Sequence, residues 1–245
     1  LNTIYSLCQK HRAADLGELL AKQTDYEARL QAITHGDEAI AAVATELTAT
    51  EEKAEELARN IHATREKAAP TFNDAIQTTL ARLGMPEARF VVQLTPAPAL
   101  TPTGDDEIDF LFTANGNFAP QKVERIASGG EISRVMLALK ALLAHRMELP
   151  TIIFDEIDTG VSGRIADAMG EIIADLSQTM QVVDITHLPQ VASKGDTHFV
   201  VYKDAEGSHI RRLDPEERIT EIAKMLSGSQ ITEAALAQAR ILLDK

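Results

Sequence analysis

Two adjacent carboxylates, Asp155 and Glu156, follow the short apolar run Ile152, Ile153, Phe154. Such a run reads as a strand buried on both faces of a largely parallel sheet. Ligands of open α/β sheets bind beyond the carboxyl ends of the strands, where this pair of acids stands. One acid can hold a Mg²⁺ ion that bridges nucleotide phosphates, and its neighbour can orient or deprotonate an attacking water. Acids also end strands simply because the chain is leaving a core, so the pair needs company. Ser128, Gly129, Gly130 and Glu131 precede an apolar stretch at helical spacing. They read in two ways. Ser128 and Glu131 have the spacing of a capping box. The two glycines leave backbone N–H groups open to a phosphate at a helix N-terminus, and capping alone would not require both. A third acid, Asp158, lies in the turn after the strand, and His187 ends the next apolar run.

The elements that must position these groups follow from periodicity. Ile126 to Met147 reads as a helix with a stripe of Ile132, Val135, Met136, Leu139, Leu142 and Leu143. A helix from Gly163 to about Leu176 joins the acidic strand to a strand over Gln181–Thr186. A right-handed βαβ unit brings both strand ends to one edge of the sheet, which sets His187 near the acids. Asp184 sits awkwardly inside that second strand and calls for a partner or a solvated position.

Upstream, Leu1 to about Arg12 reads as a short helix. Tyr26, Ile33, Ile40, Leu47, Ala54, Ile61 and Ala68 recur every seven residues. This heptad pattern predicts a coiled-coil arm over residues 1–70, or else a long helix packed on the body that occupies 71–245. Either needs a partner helix. Phe72 to Leu83 continues as helix and stops at Gly84-Met85-Pro86. Ala88–Leu94 and Glu107–Thr113 read as strands, joined by a stiff irregular connection through Pro96, Pro98, Pro102 and Gly104. Thr197–Lys203 and His209–Leu213 form a hairpin. Asp214 caps a helix opened by Pro215, and Thr232 starts a last one.

Bulk composition narrows the class. The 245 residues carry a formal charge of −13, with 44% hydrophobic and 25% charged residues, which suits a globular protein without a uniformly basic surface. Cys8 is the only cysteine, so no internal disulfide is expected and a reducing cytosol fits. No apolar run approaches the roughly 20 residues of a membrane span.

In order, SGGE before a helix, IIFDE on a strand, DTG after it and TH ending the next strand resemble the C-terminal half of an ABC-type ATPase head. Glu131 after the glycines, where transporter ATPases typically have glutamine, is similar to the SMC-like heads that carry coiled-coil arms. The strings SGGEISRVMLALKALL, IIFDEIDTGVSG and ITHLPQVASKGDTHF, with the final EERITEIAKMLSGSQITEAALAQARILL, resemble the bacterial RecN family over roughly Val123 to Leu243. Two departures stand out. Ala127 replaces the usual apolar residue before the signature, and Asp184 is unusual before the switch histidine.

The resemblance implies an α/β fold, the C-terminal lobe of an ABC-type ATPase head with an N-terminal helical segment. It implies ATP and Mg²⁺ as ligands, with Asp155 at the metal, Glu156 as general base and His187 at the γ-phosphate. Asp158 would communicate across a dimer, and Ser128, Gly129, Gly130 and Glu131 would face the nucleotide of the opposite head. The phosphate-binding loop has no counterpart in the chain, which contains no Gly-Lys dipeptide. The expected partners are therefore the protein's own N-terminal half, a second ATP-bound head and DNA, with no membrane, in the cytoplasm at the nucleoid. A non-catalytic assembly module with a helical arm and a transporter ATPase are the other readings.

Overall fold

A computed structural model describes residues 2–126, 128–228 and 230–244. Ala127, whose departure from the signature pattern was noted above, lies outside them. The chain divides into two compact units, one of Leu1–Ala63 with Pro98–Asp105 and one of Thr64–Ala97 with Asp106–Lys245.

The first unit contains α1 (Asn2–His11) and most of α2, an unbroken helix of 67 residues from Leu16 to Arg82. Ala, Glu, Leu and Lys sustain it, and it runs through Pro70. The predicted heptad residues Tyr26, Ile33, Ile40 and Leu47 all stay more than half exposed, as do Leu30 and Val43. An apolar stripe uncovered over so many turns leaves the helix's main source of stability outside this chain.

β1 (Arg89–Thr101), β2 (Gly104–Thr113) and the two-residue β3 (Gln121–Lys122) form a sheet in that order. The expected irregular connection is not there: β1 continues through Pro96 and Pro98 to Thr101. β1 is an edge strand of its sheet, the place where prolines are tolerated, and Pro96 and Pro98, two residues apart, have their missing N–H groups on one side of it.

In the second unit α3 (Gly129–Met147) separates two apolar clusters. Leu137, Ala141 and Ala144 pack with Phe154, Met169 and Leu176, whereas Val135, Ala138 and Leu139 pack with Ile76, Leu80 and Phe90. The predicted single stripe is thus corrected. Met136 and Leu143 are exposed, and three small alanines complete a helix buried on two sides.

β4 (Thr151–Asp155) and β5 (Gln181–Ile185) pair in parallel across α4 (Gly163–Ser177), with Asp155 opposite Ile185. The acidic strand is not buried on both faces as expected. Phe154 is fully buried, while Ile153, Val183 and Ile185 are 62%, 42% and 52% exposed. Successive side chains of a strand point to opposite faces, and only one face is covered here.

The short α5 (Pro189–Ala192) follows β5. Next comes the hairpin of β6 (Phe199–Asp204) and β7 (Gly207–Arg212), whose turn is tied by Asp204 Oδ1 accepting from the N–H groups of Glu206 and Gly207. α6 (Pro215–Ser227) begins with a complete capping box between Asp214 and Glu217. α7 (Glu233–Leu243) begins with Thr232 accepting from the Ala235 N–H.

Candidate functional site: one turn joins three sequence motifs

The site is built around the turn that follows β4. The Glu156 N–H donates to the Ile185 carbonyl at 3.0 Å, which extends the parallel ladder one residue past the strand. Glu156 then adopts a left-handed backbone, φ 48°, which costs a non-glycine residue on the order of 1 kcal/mol. Its carbonyl accepts from both the N–H and the hydroxyl of Thr159, at 3.2 and 2.8 Å. This reversal leaves Asp155 and Glu156 exposed and sends Asp158 inward, where it is 1% exposed.

The first turn of α3 docks on the same turn. A Cβ on Gly130 would lie 2.6 Å from the Gly160 carbonyl oxygen, and Gly160 itself has φ 78°. Ser133 Oγ donates to the Thr159 carbonyl at 3.1 Å. Close backbone approach therefore accounts for Gly130 and Gly160. Gly129 is different, because a Cβ there would meet nothing within 4 Å. The predicted capping box does not form: Ser128 is the N-cap by its carbonyl alone and makes no side-chain cap bond. Glu131, half-buried, lines a cavity with Phe112, Phe118, Lys122, Arg125 and Ile126 rather than reaching back to Ser128. The N-terminal N–H groups of α3 thus receive nothing from either of the two side chains expected to cap them.

At the end of β5 the Thr186 hydroxyl donates to Asp158 Oδ2 in a short bond and accepts from the Leu188 N–H at 2.9 Å. The largely exposed His187 has its Nδ1 3.9 Å from Asp158 Oδ1. Asp184 finds neither the partner nor the solvent expected for it. Both its carboxylate oxygens are sealed from solvent without a hydrogen bond, as is Asp158 Oδ1. Burial, and secondarily the charge of Asp158, raises its pKa to about 7.

The turn over 156–161 thus unites Gly130 with Gly160 and Asp158 with the Thr186-His187 corner. Gly129 approaches the turn only through its backbone carbon, 3.5 Å from where a Cβ on Gly160 would lie, and its own Cβ position stays open. Thr159, Ser133 and Thr186 were not singled out in the sequence, although Thr186 directly precedes His187. Among the described residues no group of three or more His, Cys, Asp or Glu side chains could hold a metal ion. The basic residues nearby are mostly engaged. Arg134 donates to the carbonyls of Gly130 and Leu83, Lys122 pairs with Asp109, and Arg211 pairs with Glu217.

No protein-family model matches the chain. Among curated proteins, the DNA repair protein RecN of Vibrio cholerae is 35% identical over 98% of this chain and 44% of its own length. RecN of Xylella fastidiosa is 34% identical over 100% of this chain and 45% of its own. RecN of Rickettsia conorii is 42% identical over 77% and 35%. The chain spans less than half the length of these relatives. Among solved structures, the SMC head domain with a coiled coil and joint from Pyrococcus yayanosii shares the fold, with TM-score 0.56, 17% identity, and coverage of 89% of this chain and 37% of that one. An SMC ATPase studied for ATP-driven dimerization and DNA-stimulated activation matches with TM-score 0.53 and 16% identity, over 69% of this chain and 99% of that one. The chain has the α/β fold of SMC head domains with a long helix, and it belongs to the RecN family as a C-terminal region of it.

Proposed function

We propose that the chain supplies the signature, Walker B, D-loop and switch-histidine half of a composite ATP-hydrolysing site in a DNA double-strand-break repair protein. The observation that carries this reading is the single turn on which SGGE, DEIDTG and the TH corner meet. The residues present fit Mg²⁺ and ATP. Gly129 is open at the start of a 19-residue helix, Ser128 Oγ is not spent on its own cap, and an exposed acid ends β4. A lone acid suits Mg²⁺, which keeps most of its waters and takes its remaining ligands from phosphates.

When bound, MgATP brings the phosphoryl group to be transferred and the divalent charge that neutralises it. Asp155 would hold the metal ion. Glu156 takes the proton of the attacking water, and its left-handed backbone fixes where the carboxylate leaves the strand. His187 donates to the γ-phosphate and steadies developing charge. Ser128 and the Gly129 and Gly130 N–H groups face the nucleotide of an opposing head, with Glu131 behind them. Asp158 links the turn to His187 and carries the state of one head to the other.

The phosphate-binding loop comes from the protein's own N-terminal half. Two uncovered apolar surfaces support that partner. One is the face of Ile153, Val183 and Ile185, and the other is the heptad stripe of α2. In this reading residues 1–70 are arm and 71–245 lobe, ATP closes two heads, hydrolysis releases them, and the arms tether DNA. Among the described residues no helix is long and apolar enough to cross a membrane.

The test is Glu156→Gln in the protein that includes the phosphate-binding half. ATP binding persists and turnover falls by roughly 10²-fold or more, the scale of a lost general base. Turnover at the normal rate would demote Glu156 to a structural acid.

A further inference from the structure

Asp184 lies in β5 and Thr186 follows just past the end of the strand, where its hydroxyl holds Asp158. Three carboxylate oxygens in this place are sealed from solvent without a partner: Asp158 Oδ1 and both oxygens of Asp184. The one hydrogen of the Thr186 hydroxyl is spent on Asp158 Oδ2, while its oxygen accepts from the Leu188 N–H, so it has no donor left for the other carboxylate oxygens. His187 Nδ1, at 3.9 Å, is beyond hydrogen-bond length from Asp158 Oδ1. The charge of Asp158 is felt at Asp184, and a proton on one Asp184 oxygen would give Asp158 Oδ1 the donor it lacks.

We propose that Asp184 is a positioning residue: protonated, it donates to Asp158 Oδ1, and the shared proton locks Asp158 against Thr186 and sets the place of His187. Burial acts in the direction this requires, since it favours the neutral form of Asp184. Asp184 touches no reacting atom. Its influence passes through Asp158 and the Thr186 hydroxyl to the histidine. The effect on turnover rests on the ATPase reading above, whereas the shared proton does not.

Two substitutions separate positioning from mere packing. Asp184→Asn keeps an N–H donor for Asp158, and Asp184→Val removes it while matching the neighbouring Val182 and Val183. On the 245-residue chain at neutral pH, infrared difference spectra between wild type and Asp184→Asn show a protonated-carboxyl band that shifts in D₂O. The ring resonances of His187 are kept in Asp184→Asn and displaced in Asp184→Val. In the ATP-hydrolysing protein Asp184→Asn stays within about twofold of wild type, because the donor is retained. Asp184→Val loses on the order of tenfold or more in turnover, as expected when a group at the site is misplaced. Asp184→Val also melts at a lower temperature than Asp184→Asn, because it leaves Asp158 Oδ1 buried without a donor. Turnover and His187 signals kept in Asp184→Asn, with the infrared band lost, form a combination that a purely structural role does not produce.

The absence of the infrared band overturns the proposal, as does an Asp184→Val protein with unchanged turnover and unchanged His187 signals. Should Asp184→Val fail to fold, Asp184→Asn decides alone: loss of the band with turnover kept supports the shared proton, and a persisting band rejects it. A wild-type protein without ATPase activity would sink the functional reading instead, while the infrared and resonance measurements would still decide on Asp184.

Discussion

The adjacent glycines of the signature do two separate jobs. Gly130 is required by contact, since any Cβ there runs into the Gly160 carbonyl. Gly129 is required by nothing within the chain. Gly130→Ala is therefore expected to destabilise the fold by about 1–3 kcal/mol, the usual cost of overpacking where backbone must move. Gly129→Ala is expected to leave stability unchanged or raise it by a few tenths of a kcal/mol, because Ala outranks Gly in a helix. Urea denaturation of the two variants measures the difference, and equal destabilisation would remove the distinction drawn here. The types and order of the chemical residues were legible in the sequence; their directions were not. Asp158 turns inward because Glu156 takes a left-handed backbone, and no rule of composition marks Glu156 for that. Ser128 and Glu131 had capping-box spacing, yet Glu131 lies in the wall of a cavity, a matter of tertiary placement. By contrast Asp214 and Glu217, with the same logic and a proline between them, form the full box.

Among the elements, β4 carries the account furthest. Its apolar run was legible as a strand, and its two-sided hydrophobicity as a strand meant to be covered twice. Only the Phe154 side is covered. The exposed Ile153 and Ile185 leave an open apolar face, which the proposed function assigns to the N-terminal half. Replacing both by Ser is expected to change the chain's own melting temperature little, because neither side chain is buried in it. The same pair should weaken association with the N-terminal half by an order of a few kcal/mol, from about 25 cal/mol per Å² of apolar area removed from water. Titration calorimetry between the two halves reads this directly, and unaltered affinity would place the partner elsewhere. α3 was harder to read. Its alanines at 138, 141 and 144 were not part of the predicted stripe, yet they let the helix sit between two clusters. The extended β1 was hidden by its prolines, which an edge strand accepts.

At the scale of the whole molecule the chain presents a site with open groups and no counterpart for them. The N–H of Gly129, the hydroxyl of Ser128 and the carboxylates of Asp155 and Glu156 all belong to one lobe, while the loop that would cradle the phosphates does not. The central claim is that SGGE acts on the nucleotide of an opposing head. It is tested by mixing two inactive proteins. One carries Gly129→Asp, which sets a carboxylate beside the incoming triphosphate, and the other has a broken phosphate-binding loop. Their heterodimer contains one site in which both halves are intact. ATP hydrolysis is predicted to recover in part on mixing and to rise with total protein concentration. Full activity of Gly129→Asp heads alone, or a mixture that stays inactive although heterodimers form, would contradict it.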